Sequence, residues 1–453
     1  MKPKRHSFGI AAGVAASLAM VLAACSPATT GDSSDDSSGS SGGSGDKTTV
    51  TFRLWDEAAA PAYEDSFAAF EKQHENIDVK VDVVPWSEYW SRIPLDINSG
   101  DMADVFLVNS SNIAQYADNG NLIDVSKAIG NDHDEWEQSV VDLYTRDGSL
   151  WGVPQLWDSI ALFYNKDLTD AAGVDVEDLT WAPDAGDGDT LLPALQKLTT
   201  DKSGNTAESA DFDSSNVATF GLNAQADMQA IYLPWLAENG AQYQDEKTDE
   251  FAFASDKGVE AFSYVIDLIN KYHVAPSAAD TNTNGDLARD MFIQGKLALF
   301  QSGPYSLPAI AEGATDINWG IVPMIAGPEG RVGTVHGVVA VGNAATKNED
   351  ATVEVLKWLG SAEGQAPLAE QGVSFPGAVD AQQSYVDYWD KQGVDVTPFI
   401  EAAKGDTARP PVGPAVDAGT NAYTPLLADL FLGSDDLAKG LKEAQDAGNN
   451  AMK

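Results

Sequence analysis

The chain has 453 residues and carries 69 Asp and Glu against 27 Lys and Arg, a formal net charge of −42. Its length predicts two or three domains, and a hydrophobic content of 43% with 11 Trp excludes wholesale disorder. The acidity argues against nucleic acid as a partner, because phosphates are bound by clustered Lys and Arg. The single cysteine, Cys25, excludes an intramolecular disulfide framework and a Cys-based zinc site.

The N-terminus has the layout of a secretory signal peptide. A basic segment at residues 2–5 precedes an uncharged, Ala-rich run at 8–24. The run is short for a membrane span, so a transmembrane anchor is the weaker alternative. It ends in LAAC at Cys25, which resembles the bacterial lipobox, in which this cysteine is lipidated and the chain is cleaved before it. We therefore expect residues 1–24 to be removed and Cys25 to hold the protein at the extracellular face of the cell membrane.

A tether and then an α/β pattern follow. Residues 25–46 are mostly Ser, Gly, Asp and Thr and predict a flexible tether, because they have little apolar surface to bury. The body then alternates between periods of two and of about 3.6 residues, which is typical of an α/β domain with a mainly parallel sheet. Ligands bind such sheets at the carboxyl ends of the strands. The predicted strands are 49–54, 77–84 and 104–108, and the predicted helices are 58–74, 89–99 and 113–119.

The pattern changes near Leu150. Residues 182–216 are polar and predict a surface excursion with little core. Within them, 201–205 is similar to the start of a calcium loop, but the Gly and Glu of an EF-hand do not follow, so a solvated turn is preferred. Further predicted elements are a strand at 220–222, helices at 228–239 and 257–272, and apolar segments at 338–341, 351–359 and 426–432.

Local catalytic motifs are absent from the sequence. There is no Walker A loop and no H-E-x-x-H, and the body after residue 46 has no G-x-S-x-G and no dinucleotide-binding G-x-G-x-x-G after a strand. The five histidines are too scattered to suggest a metal motif, and we expect neither a metal nor a cofactor. The 69 carboxylates leave open an acid/base pair that meets only in the fold.

Four pairs of segments carry a family resemblance. They are WGVP at 151–154 with LFYNKDL at 162–168, MFIQGKLA at 291–298 with SGPY at 302–305, WGIVPM at 319–324 with GVVAV at 337–341, and ATVEVLKWL at 351–359 with SAEGQ at 361–365. In this order, after a lipobox and a tether, they resemble the extracellular solute-binding proteins of ABC sugar importers, the family that includes maltodextrin-binding protein. The resemblance covers roughly residues 48–445.

The resemblance implies an α/β, two-lobed, periplasmic-binding-protein-like (Venus flytrap) fold. Ligand would bind in the cleft between the lobes, which close around it. We expect an N-terminal lobe of residues 47–157 and 338–373 and a C-terminal lobe of 158–337 and 374–453. The chain would cross between them near Trp157, His336 and Ser374.

A sugar site should combine aromatic rings with carboxylates and amides. A flat ring can lie on the apolar face of a sugar, and carboxylate or amide groups bind its hydroxyls. Strand ends offer Trp55, Asp56, Glu57, Trp86 and Asn109, although Trp55 could instead belong to the core.

The resemblance adds further candidates. Asp158 stands where the family has an acidic sugar contact, and Trp157 precedes it. Tyr305 stands where maltodextrin-binding protein has a stacking Trp. Asp227 and Gln229 precede a helix similar to a sugar-contacting segment of the family. A last candidate, His336, lies at a crossing, where it would be either a hinge-packing residue or a ligand contact.

The sequence therefore predicts a lipid-anchored extracellular receptor. The protein would be a monomer. It would capture an oligosaccharide, with a di- to tetrasaccharide favoured, and deliver it to the membrane permease of an ABC importer. Its only contact with the membrane besides the permease would be the lipid anchor. Two alternatives stay open: a secreted glycoside hydrolase acting on oligosaccharides, and a surface adhesin.

Overall fold

The computed structural model describes residues 47–245, 247–413, 415–434 and 436–453. The predicted signal peptide, the tether and Cys25 lie outside the described residues. In the described ranges, no helix is both long enough and apolar enough to cross a membrane.

The strands alternate with helices through the first half of the body. In chain order they are β1 (Thr48–Leu54), β2 (Ile77–Val83), β3 (Val105–Asn109), β4 (Thr145–Arg146), β5 (Ser149–Leu150), β6 (Val153–Asp158), β7 (Ala161–Asn165), β8 (Thr200–Asp201), β9 (Val217–Leu222), β10 (Leu297–Ser302), β11 (Trp319–Pro323), β12 (Gly333–Thr334), β13 (His336–Gly342), β14 (Phe375–Pro376) and β15 (Thr407–Ala408).

Helices cover both large sheets. They are α1 (Ala60–Gln73), α2 (Trp86–Ser99), α3 (Ile113–Asp118), α4 (Val125–Ala128), α5 (Gln138–Tyr144), α6 (Lys166–Ala172), α7 (Leu191–Leu198), α8 (Leu233–Glu238), α9 (Asp256–Asn270), α10 (Ala278–Thr281), α11 (Leu287–Ile293), α12 (Leu307–Gly313), α13 (Glu349–Leu359), α14 (Ala362–Glu370), α15 (Val379–Lys391), α16 (Thr397–Lys404), α17 (Val416–Phe431) and α18 (Leu437–Ala451). Two 3₁₀ turns occupy Pro183–Ala185 and Pro304–Ser306, and a π-helix occupies Met228–Tyr232.

The first sheet has the order β14-β6-β13-β3-β1-β2. β1 runs parallel to β2 and β3, as the strand–helix alternation predicts, whereas β13 is antiparallel to both β3 and β6. Along β1 the alternating residues Val50, Phe52 and Leu54 are fully buried, since successive side chains of a strand point to opposite faces. The predicted site residues of this sheet lie at or just after the carboxyl ends of β1, β2, β3 and β6.

The second sheet has the order β11-β7-β10-β9-β8. Both faces are buried: Phe163 packs on one side with Phe292, Phe300 and Phe399, while Leu162 belongs to the core on the other side. Two hydrophobic cores therefore enclose this sheet, and it forms a second layered body beside the first sheet.

The prediction for residues 182–216 was wrong. They contain α7, in which Leu191, Leu195 and Leu198 are buried in the second core, and the strand β8. The helix is only eight residues long and polar segments flank it on both sides. A long sequence window therefore averages the apolar residues of this helix with their polar neighbours, and the helix is not detected.

The chain passes between the sheets at the first two expected places and differs at the third. β6 ends at Asp158 before β7 joins the second sheet, and β13 returns to the first sheet at His336. The expected crossing near Ser374 comes too early. β14 pairs with β6, and Phe375 packs on Trp157, so this segment and the following α15 stay with the first sheet. The chain reaches the second sheet only with α16, which contacts β11 and β7.

Candidate functional site

The two crossings bring Asp158 and His336 together. Asp158 is the last residue of β6, His336 is the first of β13, and the two are direct partners in the antiparallel pairing of these strands. Since both strands connect to the second sheet at this point, the pair lies where the two bodies meet. This is the geometry that the crossings predict.

The Asp158 carboxylate is held from the second body. Gln229, on the π-helix, donates its side-chain amide to Asp158 Oδ1. Burial raises the pKa of Asp158 to about 8, and the hydrogen bond from Gln229 offsets only part of that rise. At neutral pH most Asp158 side chains therefore carry a proton.

His336 is a neutral imidazole in which only one ring nitrogen has a hydrogen-bond partner among the described residues. Its residue surface is 7% exposed, and its Nδ1 lies 3.3 Å from the Ser110 hydroxyl oxygen. Burial lowers the pKa of His336 to about 4, so the ring is uncharged at neutral pH. Its Nε2 is buried without a hydrogen-bond partner among the described residues. The ring therefore packs at the crossing and keeps one buried polar atom that no described residue engages.

Asp227 shapes the segment that presents Gln229. Its Oδ1 accepts a hydrogen bond of 2.9 Å from the Ala230 backbone N–H and caps the π-helix. The Thr334 hydroxyl donates to the Gln229 carbonyl over 3.3 Å. Burial raises the pKa of Asp227 as well.

Tyr305 offers an open aromatic ring in the second body. It follows β10 in the 3₁₀ turn Pro304–Ser306 and is 49% exposed. The pKa of its phenol is raised, first by burial and then by the charges of Asp227 and Asp158. Tyr305 therefore lies near both carboxyl groups. A Cβ at Gly303 would come within 2.2 Å of the Tyr305 ring, so the absence of a side chain there makes room for the ring.

An aromatic cluster stands at the carboxyl ends of β1 and β2. Trp55 lies edge-to-face with Trp86 at a ring-centroid distance of 5.4 Å, and Tyr89 and Trp90 complete the group. Trp86 opens α2 after Pro85 and is 53% exposed, whereas Trp55 and Trp90 are partly buried. Trp86 thus presents its surface to solvent while Trp55 supports it from the core, which makes Trp86 the better stacking candidate of the two.

The remaining polar candidates of the first body have local partners. Asp56 Oδ1 accepts a hydrogen bond of 2.9 Å from the Ala58 backbone N–H before α1, and both Asp56 and Glu57 are exposed. Asn109 Oδ1 accepts from both the backbone and the side-chain amide of Asn112. Asp56 Oδ2 accepts no hydrogen bond from the described residues and can therefore bind a ligand. Asn109 Oδ1, in contrast, already accepts two hydrogen bonds from Asn112.

Trp157 does not present a face to the cleft. It is 3% exposed and packs on Phe375 at a ring-centroid distance of 4.4 Å. Side chains alternate along β6, so Trp157 points to the face opposite that of Asp158 and into the core. The expected stacking role is therefore not supported by this conformation.

Sequence reasoning missed two ionisable groups that lie near each other in the fold. Buried Tyr116 on α3 has no hydrogen-bond partner for its phenol oxygen among the described residues, and burial followed by the charge of Asp417 on α17 raises its pKa. Burial raises the pKa of Asp417 itself to about 7. The two residues are distant in sequence and neither lies in a motif, so no sequence signal could have joined them.

The described residues contain no group of three or more His, Cys, Asp and Glu side chains that could hold a metal ion. Asp201, from the segment similar to a calcium loop, accepts N–H groups of Asn205, Ser203 and Asp213. These hydrogen bonds, with that from the Asn205 side chain first, lower the pKa of Asp201 to about 2. The Asp201 carboxylate therefore stabilises the turn of its own segment by accepting these hydrogen bonds.

Comparison with known proteins identifies the family. The model of the bacterial extracellular solute-binding protein family matches residues 55–366. This chain belongs to that family. UspC of M. tuberculosis, a solved structure, is 45% identical and superposes with a TM-score of 0.74, covering 89% of this chain and 100% of UspC.

The names or titles of more distant relatives of this solute-binding protein state a ligand. The ABC substrate-binding protein Lmo0181 of Listeria monocytogenes, solved in complex with cycloalternan, is 21% identical with a TM-score of 0.76, covering 90% of this chain and 99% of that one. The maltooligosaccharide ABC transporter solute-binding lipoprotein of Streptococcus pneumoniae R6 is 24% identical over 80% of this chain and 77% of its own length. The superpositions confirm the predicted α/β two-lobed fold.

Proposed function

We propose that this solute-binding protein captures an oligosaccharide between its two lobes and delivers it to the permease of an ABC importer. One observation supports the proposal: aromatic rings and hydrogen-bonding groups lie in both lobes and at the crossing between them. Trp86 lies on the first side, Tyr305 and Gln229 lie on the second, and Asp158 lies at the crossing. Such a set matches the apolar faces and the hydroxyl edges of a sugar.

The cargo is a di- to tetrasaccharide. Two exposed aromatic groups on different elements, Trp86 on α2 and Tyr305 after β10, offer more than one stacking position. Relatives are named for maltooligosaccharides or were solved with cycloalternan, so short α-linked glucose oligomers are the first probes.

Closure follows from contacts on both lobes. A sugar that stacks on Tyr305 and bonds to Asp158 gains further contacts with Trp86 only when the lobes approach each other. That differential affinity is what shifts the population toward the closed state. The permease then distinguishes loaded from empty protein by its shape.

The chain acts as a binding protein and not as an enzyme, and Cys25 anchors it outside the cell as a lipoprotein. The family is one of binding proteins, and a relative is named a lipoprotein. The intact mass of the native protein tests the anchor. A chain that keeps Met1, or starts at an unmodified Cys25, would contradict it.

Isothermal calorimetry of the purified protein against maltose, maltotriose, maltotetraose and a β-linked set, cellobiose and lactose, tests the proposal. We expect saturable one-to-one heat with one linkage class and intact sugar after prolonged incubation. Hydrolysis products would instead favour the glycoside hydrolase. The absence of heat with every sugar, from a folded protein, would contradict oligosaccharide binding.

A further inference from the structure

Asp158 is a carboxyl group at the junction of the two lobes, and it has no cationic partner among the described residues. It ends β6, faces His336 on β13 and accepts the Gln229 amide from the π-helix. Within the described part of the chain, burial and this one amide are the only influences that set its pKa. A carboxyl group without a cationic partner in such a place retains its proton unless stronger donors arrive.

The surrounding titratable groups leave Asp158 as the group that changes charge near neutral pH. It influences the phenols of Tyr144 on α5, Tyr305 after β10 and Tyr385 on α15, and burial raises the pKa of each. His336 stays neutral, because burial lowers its pKa to about 4. Asp227, the remaining carboxyl group beside Tyr305, is already engaged by a backbone N–H as a helix cap.

We propose that capture of a neutral oligosaccharide is coupled to release of the Asp158 proton to solvent. A sugar hydroxyl donates a hydrogen bond to the Asp158 carboxylate in the loaded cleft, either beside the Gln229 amide or in its place. His336 cannot accept the proton at neutral pH, so the buffer does. The inference rests on the proposed function and specifies how that site recognises its cargo.

The direction of the proton transfer follows from a comparison of two effects. Closing the cleft removes water and favours the neutral acid, but Asp158 is already largely desolvated in the ligand-free protein. Hydroxyl donors bind a charged acceptor more strongly than a neutral one, so each new donor favours the carboxylate. The second effect dominates, because most of the first is already present before the sugar binds.

The coupling gives the affinity a defined pH dependence. The pKa of Asp158 is about 8 in the free protein, and donors lower it in the complex. The association constant therefore rises by at most about 10-fold per pH unit below pH 8 and by about fivefold between pH 7 and pH 8, and it levels off above that value.

The test is calorimetry with maltotriose at pH 7 in buffers of different ionisation enthalpy, such as phosphate and Tris. We expect the apparent enthalpy to vary with the buffer, with up to about 0.9 proton released per sugar bound, the protonated fraction of Asp158 at pH 7. Asp158→Asn should remove this variation, and Asp429→Asn, at an exposed position on α17, should retain it, while Asp227→Asn reports any release from the neighbouring carboxyl group. If Asp158→Asn binds too weakly to measure, the rise of the wild-type association constant toward pH 8 decides instead.

Three outcomes would overturn the inference. A wild-type enthalpy that is the same in every buffer, with clear binding, refutes proton release and leaves the proposed function intact. Release that persists in Asp158→Asn and disappears in Asp227→Asn assigns the proton to the wrong carboxyl group. No binding heat with maltotriose or with any other sugar of the screen would refute the proposed function, and this inference with it.

Discussion

At the scale of single residues, exposure separates binding candidates from core residues better than residue type does. Tyr305 and Trp86 present about half of their surfaces, whereas Trp157 presents almost none. All three are aromatic residues near predicted strand ends or crossings. The sequence could therefore propose them, but only the side-chain direction in the fold distinguishes them.

Replacing Tyr305 tests the stacking group of the second lobe. Tyr305→Ala should weaken oligosaccharide binding by about 10- to 100-fold, because it removes one aromatic face. Tyr305→Phe keeps the face and should stay within about threefold of the wild type. Calorimetric titration with the sugar identified by the screen measures both. Equal losses in the two variants would assign the effect to the hydroxyl group and contradict stacking.

Trp86 and Trp157 form a matched pair with opposite expectations. Trp86→Ala should reduce affinity with little change in stability, because the side chain is 53% exposed. Trp157→Ala should instead lower the free energy of unfolding by about 3–5 kcal/mol, because it leaves a cavity beside Phe375. Urea denaturation and calorimetry together separate the two effects. A stable Trp157→Ala protein that had lost only sugar binding would restore the original stacking prediction.

At the scale of elements, the sequence predicted those with strong periodicity and missed those that depend on contacts. β1, α1, β2 and α9 lie close to their predicted bounds, because each alternates or repeats apolar residues over a full face. α2 begins at Trp86, three residues earlier than predicted, directly after the N-cap residue Pro85. The pairing of β14 with β6 is a long-range contact of two residues, and no local pattern reveals it.

The core role of α7 gives a direct test at this scale. Leu195 is fully buried in the second core, and Lys197 is exposed on the same helix. Leu195→Ala should lower the free energy of unfolding by about 2–5 kcal/mol, through lost burial and a residual cavity. Lys197→Ala, the control, should change it by less than about 0.5 kcal/mol. Similar urea midpoints for both variants would show that this segment is a surface excursion after all.

At the scale of the whole molecule, buried carboxyl groups make stability depend on pH. Asp417 on α17 has a folded-state pKa of about 7, above the ordinary value of 3.8. The folded protein therefore binds the proton more tightly than the unfolded chain. The stability that this gives is present below about pH 4 and is lost as the pH rises toward 7.

Asp417→Asn should remove that loss. We expect the variant to be more stable than the wild type by about 1–2 kcal/mol at pH 8, since an amide needs no ionisation in a buried place. At pH 4 the variant and the wild type should be equal within error. Asp429→Asn, an exposed position on the same helix, is the control and should change neither value. A gain that is the same at both pH values would exclude titration as its cause.

The two-lobed fold was predicted from the sequence through a family resemblance. Closure of the lobes around a sugar is the central claim of the proposed function. Small-angle X-ray scattering of the purified protein, with and without a saturating oligosaccharide from the screen, measures lobe closure directly. We expect the radius of gyration to fall on saturation in the wild type, and to fall in Tyr305→Ala only at higher sugar concentration. Identical scattering curves at full calorimetric saturation would contradict capture by closure of the cleft.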